Sequence, residues 1–118
     1  MKLLIVDDNP RMRDLIQKFF TEPPAQVAAC AYGAGALAAY QQFLPDWVLM
    51  DIRMKSVNGL TATRQIKAAD PKAKIIIVTN FSDPELREAA REAGACAFVL
   101  KEDLSPLQQL ITGSKPTD

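Results

Sequence analysis

Histidine does not occur anywhere among the 118 residues. Its absence removes Ser-His nucleophile pairs, imidazole proton shuttles and nearly all zinc sites, so any chemistry must come from carboxylates, hydroxyls and lysines. Neither sign of charge is in excess, since 14 acidic side chains balance 14 basic ones. No Lys/Arg run is long enough to grip a phosphate backbone, which argues against nucleic-acid binding. No stretch reaches the roughly 20 strongly apolar residues of a membrane span. The longest weakly polar segment, AQVAACAYGAGALAAY, is rich in Ala and Gly, and the opening MKLLIVDD is too short for a signal peptide. Cysteine is scarce: Cys30 and Cys96 lie inside apolar stretches without ligand-like spacing and read as reduced core residues of a cytoplasmic protein. With 48% apolar residues, the chain has the size and composition of one compact domain, 1–118.

Five apolar stretches recur at similar intervals: KLLIV (2–6), QVAACA (26–31), WVLM (47–50), KIIIVT (74–79) and CAFVL (96–100). Most are continuous rather than alternating, as in strands covered on both faces. Helical patterns separate them. Pro10 suits a first helical turn, and Met12, Leu15, Ile16, Phe19 and Phe20 form one stripe after it. Residues 33–44 predict a second helix and 60–69 a third with Ile66 inward. The fourth has Ser82 or Asp83 as cap, Pro84 in its first turn and Gly94 as terminator. The fifth is capped by Ser105 and opened by Pro106, has Leu107, Leu110 and Ile111 toward the core, and closes at Gly113. Alternating strands and helices require right-handed crossovers, hence a parallel sheet with helices on both faces. Residues 112–118 read as a tail or the start of a linker.

Ligands of such sheets bind beyond the carboxyl ends of the strands. The first strand delivers Asp7 and Asp8 there, the third Asp51, the fourth Thr79 and Asn80, and the fifth Lys101. If the first and third strands are neighbours, three carboxylates converge and repel one another unless a cation sits among them. An oxygen-only cluster selects Mg²⁺ or a similar hard ion such as Mn²⁺, which keeps coordination positions open for phosphate oxygens. Asp51 then reads as a carboxylate nucleophile toward a phosphoryl group, with Lys101 and Thr79 positioned to contact the phosphoryl oxygens. Taken singly, each residue has an ordinary reading: Asp as a turn former or helix cap, Lys as a solvated charge, Thr as a strand former.

Together, the acidic pair in LLIVDDN, the VLMDIRM pattern followed by Gly59, the threonine of IIIVT and the FVLK ending resemble the receiver domain of two-component response regulators over essentially the whole chain. The resemblance implies a flavodoxin-like α/β three-layer sandwich, with a five-stranded parallel sheet of order 2-1-3-4-5 and five helices. It implies that Asp51 is phosphorylated by a sensor histidine kinase. Asp7, Asp8, Asp51 and the Arg53 backbone carbonyl would hold Mg²⁺, Lys101 would pair with the phosphoryl group, and Thr79 and Phe98 would form a conformational relay. Such a chain is a signalling module that catalyses only its own phosphorylation and dephosphorylation, and it acts through an output domain or a second copy. The LKEDLS wording resembles receivers that precede a LuxR-like helix-turn-helix domain.

Three positions depart from the family pattern. Lys55 replaces a proline and adds charge near the pocket, Asn80 replaces a small residue and narrows access to Asp51, and Glu102 replaces a proline after Lys101. Two other readings compete. A pseudo-receiver would bind partners without phosphorylation, and a haloacid-dehalogenase-like phosphatase would turn over phosphomonoesters. The latter family places its nucleophile after the first strand in an Asp-x-Asp pattern, whereas here the first acids are adjacent.

Overall fold

The computed structural model describes residues 1–19, 26–54 and 57–112. Five strands, β1 (Lys2–Val6), β2 (Gln26–Cys30), β3 (Trp47–Met50), β4 (Ile75–Thr79) and β5 (Ala97–Leu100), form one parallel sheet in the order β2-β1-β3-β4-β5. The helices are α1 (Pro10–Phe19), α2 (Ala36–Phe43), α3 (Gly59–Ala69), α4 (Pro84–Ala93) and α5 (Pro106–Thr112). The continuous apolar runs have the predicted cause: Leu3 through Val6 and all of β4 are buried, and alternate residues serve opposite faces. Leu4, Val6, Val48, Met50, Ile75 and Ile77 pack with α2, α3 and α4 through Ala36, Tyr40, Ala62, Ile66 and Ala90. Leu3, Ile5, Leu49, Ile76, Val78 and Val99 pack with α1 and α5 through Ile16, Leu107 and Ile111. The winding reverses at β1 and β3, which opens a crevice beyond their carboxyl ends.

Several local expectations change. The second helix is shorter than 33–44: Gly33–Gly35 form one 3₁₀ turn before α2 begins. A side chain at Gly33 would meet the Val57 carbonyl oxygen at 2.1 Å, so that turn is pressed against the β3–α3 loop. Leu44 ends α2 in the left-handed region at φ 52, immediately before Pro45, which disfavours continuation of the helix. Leu15 and Leu110 are 50% and 37% exposed rather than inward. Successive helical residues are turned by about 100°, and the sheet is met along the narrower lines Met12–Ile16–Phe19 and Leu107–Ile111. Cys96 is exposed, because β5 begins only at Ala97, and is not a core residue, whereas Cys30, half-buried on the edge strand, packs against the core; both are free thiols. Asp83 holds the cap position of α4 without a capping side-chain bond, and Gly94 ends that helix at φ 109. The Ser105 hydroxyl donates to Asp103 Oδ1. Of the expected 112–118 tail, Thr112 is the last residue of α5, and residues 113–118, like Phe20 and Lys55, lie outside the described residues. Among the described residues no helix is long and apolar enough to cross a membrane.

Candidate functional site

The ladder between neighbouring strands brings the acidic residues together. Asp7 N–H donates to the Cys30 carbonyl at 3.0 Å, and Asp51 N–H donates to the Val6 carbonyl at 2.9 Å. Asp51 is thereby fixed beside the residue that precedes Asp7, although 44 positions separate the two acids (51 minus 7). Asp7, Asp8 and Asp51 each offer a carboxylate oxygen, and these atoms lie within 4.8 Å of one another. Asp7 is 1% exposed and Asp51 6%, so these two carboxylates lie largely out of water, whereas Asp8 is not buried and faces solvent.

Lys101 answers part of that charge. Its backbone N–H bonds the Thr79 carbonyl at 2.8 Å, and the Asp103 N–H to Leu100 carbonyl bond, 3.0 Å, closes the turn around it. From there Nζ reaches Asp7 Oδ2 at 2.9 Å and Asp51 Oδ2 at 3.3 Å. The other oxygens of Asp7 and Asp51 are held by main chain: Asp7 Oδ1 accepts from Asn9 N–H at 2.9 Å, and Asp51 Oδ1 accepts from Ile52 N–H at 2.9 Å. Burial, and then the negative charge of Asp7, push the Asp51 carboxyl up to about 6, against the downward pull of Lys101 and the Ile52 amide. For Lys101, burial favours the neutral amine, but the contacts to Asp7 and Asp51 outweigh it and hold the ammonium above its ordinary value.

Three carboxylates against one ammonium leave a formal charge of minus two, and every donor is oxygen. This donor set fits a hard divalent cation of the Mg²⁺ type. Each carboxylate oxygen of Asp7 and Asp51 carries a further lone pair beyond the one used by its N–H or ammonium partner.

Thr79 is fully buried at the end of β4, and its Oγ1 accepts from the Phe81 N–H at 3.4 Å. Phe98 is half-buried on β5 opposite Ile77 in the register, with the Arg87 guanidinium 4.7 Å from its ring centre. A cavity of about 220 Å³ lies beside it, lined in part by Arg91 and Cys96. Asn80 is exposed. The expectation for Lys55 concerns a residue outside the described ones.

Some contacts were not visible in the sequence. The Arg53 guanidinium stacks 4.0 Å over the Phe81 ring, joining the loops that follow Asp51 and Thr79. Gly59 has no room for a side chain, since a Cβ there would lie 1.8 Å from the Asp51 carbonyl oxygen. The Asn58 side chain caps α3 by accepting from Thr61 N–H at 2.9 Å. An Asn one residue before a helix is a recognisable cap signal, whereas the stack and the close approach have no local signature.

A family profile described as the response regulator receiver domain matches residues 3–112. The chemotaxis protein CheY of Thermotoga maritima is 37% identical over 101 residues, covering 85% of this chain and 84% of that protein. A LuxR-family two-component response regulator from Aurantimonas superposes with TM-score 0.87 at 32% identity, covering 95% of this chain and 82% of that one. A chain of the CheX–CheY–BeF3–Mg²⁺ complex from Borrelia burgdorferi gives TM-score 0.88 at 25% identity, covering 96% and 87%.

Proposed function

The chain belongs to the response regulator receiver family, whose members are signalling modules rather than classical enzymes, and from that premise we propose that Asp51 is its phosphoryl acceptor. An Asp51 carboxylate oxygen attacks phosphorus of a phosphohistidine on a sensor kinase. The phosphorus–nitrogen bond breaks, its electron pair stays on the imidazole, and an aspartyl phosphate forms. Hydrolysis of that acyl phosphate restores the carboxylate.

Asp7, Asp8, Asp51 and the Arg53 backbone carbonyl would hold Mg²⁺ or Mn²⁺, which supplies neutralisation of phosphoryl charge when bound. Lys101, already within 3.3 Å of Asp51 Oδ2, pairs with a phosphoryl oxygen. The Thr79 hydroxyl donates to another, and Phe98 turns inward as Thr79 shifts. Asn80 and Lys55 tune access to the acceptor.

The carrying observation is the meeting of three carboxylates and one lysine around Asp51, at the end of a strand hydrogen-bonded to β1. It favours a phosphorylated receiver over a pseudo-receiver, which has no use for two buried carboxylates set against each other and a third at the rim. The same reading makes residues 1–118 a receiver, with 113–118 as tail or linker after Thr112 closes α5, and places the chain in the cytoplasm beside its kinase. Its output is a LuxR-like DNA-binding domain or a partner protein, the chain itself making no nucleic-acid contact. Incubation with acetyl phosphate and Mg²⁺ tests this: the intact mass gains one phosphoryl group, and chelation or Asp51→Asn prevents the gain. No gain in the wild-type chain, or an equal gain in the variant, refutes the assignment.

A further inference from the structure

Neighbouring residues of a strand point to opposite faces, yet Asp7 and Asp8 both offer oxygens to one cluster. They can do so because β1 ends at Val6 and the chain bends at Asp8. The geometry of that bend decides whether the two carboxylates converge. Asp7 N–H is tied to the Cys30 carbonyl, Asp7 Oδ1 to the Asn9 N–H, and Oδ2 to Lys101. The Asp7 carbonyl, which sets the plane of the Asp7–Asp8 peptide, accepts from Arg13 Nη1 at 2.8 Å.

Arg13 lies on α1, in the turn whose N–H groups bond Asn9: the Asn9 Oδ1 accepts from Arg11 N–H at 2.9 Å and its carbonyl from Arg13 N–H at 3.1 Å. The capped first turn fixes the helix, and the helix fixes where the guanidinium starts. We infer that Arg13 is a positioning residue for the cation site: by holding the Asp7 carbonyl it turns the Asp7–Asp8 peptide so that both side chains face Asp51. This rests on the Mg²⁺ reading given above and assigns a role to a residue outside the carboxylate–lysine set. Groups that orient metal ligands without touching the metal commonly change affinity 10- to 100-fold when removed.

Charge and positioning make opposite predictions here. A guanidinium acting only through its charge repels an incoming dication, so its removal tightens binding. A guanidinium that orients the peptide weakens binding when lost. Calorimetric titration with MgCl₂ alone, on wild type, Arg13→Met and Arg13→Lys, separates the two, with metal-free thermal melts reporting that each variant folds. Positioning predicts about 10-fold weaker binding for Arg13→Met, with Arg13→Lys in between because a shorter, single-point donor holds the carbonyl less well. Unchanged or tighter binding by Arg13→Met overturns the inference and leaves the proposed function standing. If Arg13→Met does not fold, Arg13→Lys decides: a several-fold loss supports the role and wild-type affinity overturns it. Absence of Mg²⁺ binding by the wild-type chain overturns the inference and the metal reading together.

Discussion

The Lys101 ammonium sits 2.9 Å from Asp7 Oδ2, nearer than its 3.3 Å to Asp51 Oδ2. The proposed acceptor therefore receives the weaker share of that positive charge while lying in a buried position beside a second carboxylate. Burial, and then the charge of Asp7, push its carboxyl up to about 6 against the pull of Lys101, and a cation or a phosphoryl group entering the cluster changes this balance directly.

That shift makes the stability of the fold depend on pH. A carboxyl raised in the folded state favours folding below its ordinary value of 3.8, and the contribution is lost as pH rises through about 6. At neutral pH and without metal, ionised Asp51 thus works against the fold. Asp51→Asn should gain about 1 kcal/mol, well below the full value of the shift because water still screens the site. Urea unfolding in chelator measures it. Added Mg²⁺ should stabilise the wild type more than the variant, and a variant less stable in chelator would contradict the account.

Gly59→Ala should be severe. The new Cβ would stand 1.8 Å from the Asp51 carbonyl oxygen and 2.7 Å from its carbon, both backbone atoms, while Gly59 N–H also bonds the Ile52 carbonyl at 2.8 Å. The loop must move and carry Asp51 with it. A loss of about 3 kcal/mol is expected, together with slower loading from acetyl phosphate. Wild-type unfolding and loading would show that the contact is not binding.

Thr63 on α3 is fully buried, and its Oγ1 has no hydrogen-bond partner among the described residues. A methyl group fits the same shape without an unmet polar atom, so Thr63→Val should stabilise by about 1 kcal/mol. A destabilised variant in the same urea assay would reveal a partner for the hydroxyl.

Tyr40 on α2 donates to Asp70 Oδ2 at 2.7 Å, tying that helix to the end of α3. Burial, then the bond to Asp70 and its charge, push the phenol from 10.0 to about 12, and the Tyr40 bond draws the Asp70 carboxyl down. The raised phenol supports the fold below 10.0 and loses that support as pH climbs toward 12. The lowered carboxyl supports it above 3.8 and loses that support as pH falls below this value. With Tyr32→Phe leaving Tyr40 as the sole tyrosine, phenolate absorbance should show a midpoint near 12 that Asp70→Asn brings downward. A midpoint indifferent to Asp70 would contradict the pairing.

Much of this arrangement was legible because it rests on strands. IIIVT and KLLIV are continuous because both their faces are covered, and a residue at the end of such a run, such as Asp51 or Lys101, has its location settled once the run is recognised. Contacts made by long side chains across loops leave no such trace. Arg13 reaching the Asp7 carbonyl and Arg53 lying on Phe81 depend on loop paths that no period encodes. Leu15, Leu110 and Cys96 read as inward from sequence for the complementary reason: an apolar residue at the margin of a stripe or strand looks like its neighbours in sequence, and the width of the packing contact decides its fate.

The identity of the acceptor is tested most directly by locating the phosphoryl group chemically. An aspartyl phosphate is reduced by borohydride to homoserine, so the chain should be loaded with acetyl phosphate and Mg²⁺, reduced, digested and sequenced by mass spectrometry. Homoserine at position 51 and not at 7 or 8 is the predicted result. Homoserine at position 7 or 8, or a loaded chain that yields none, would contradict the account.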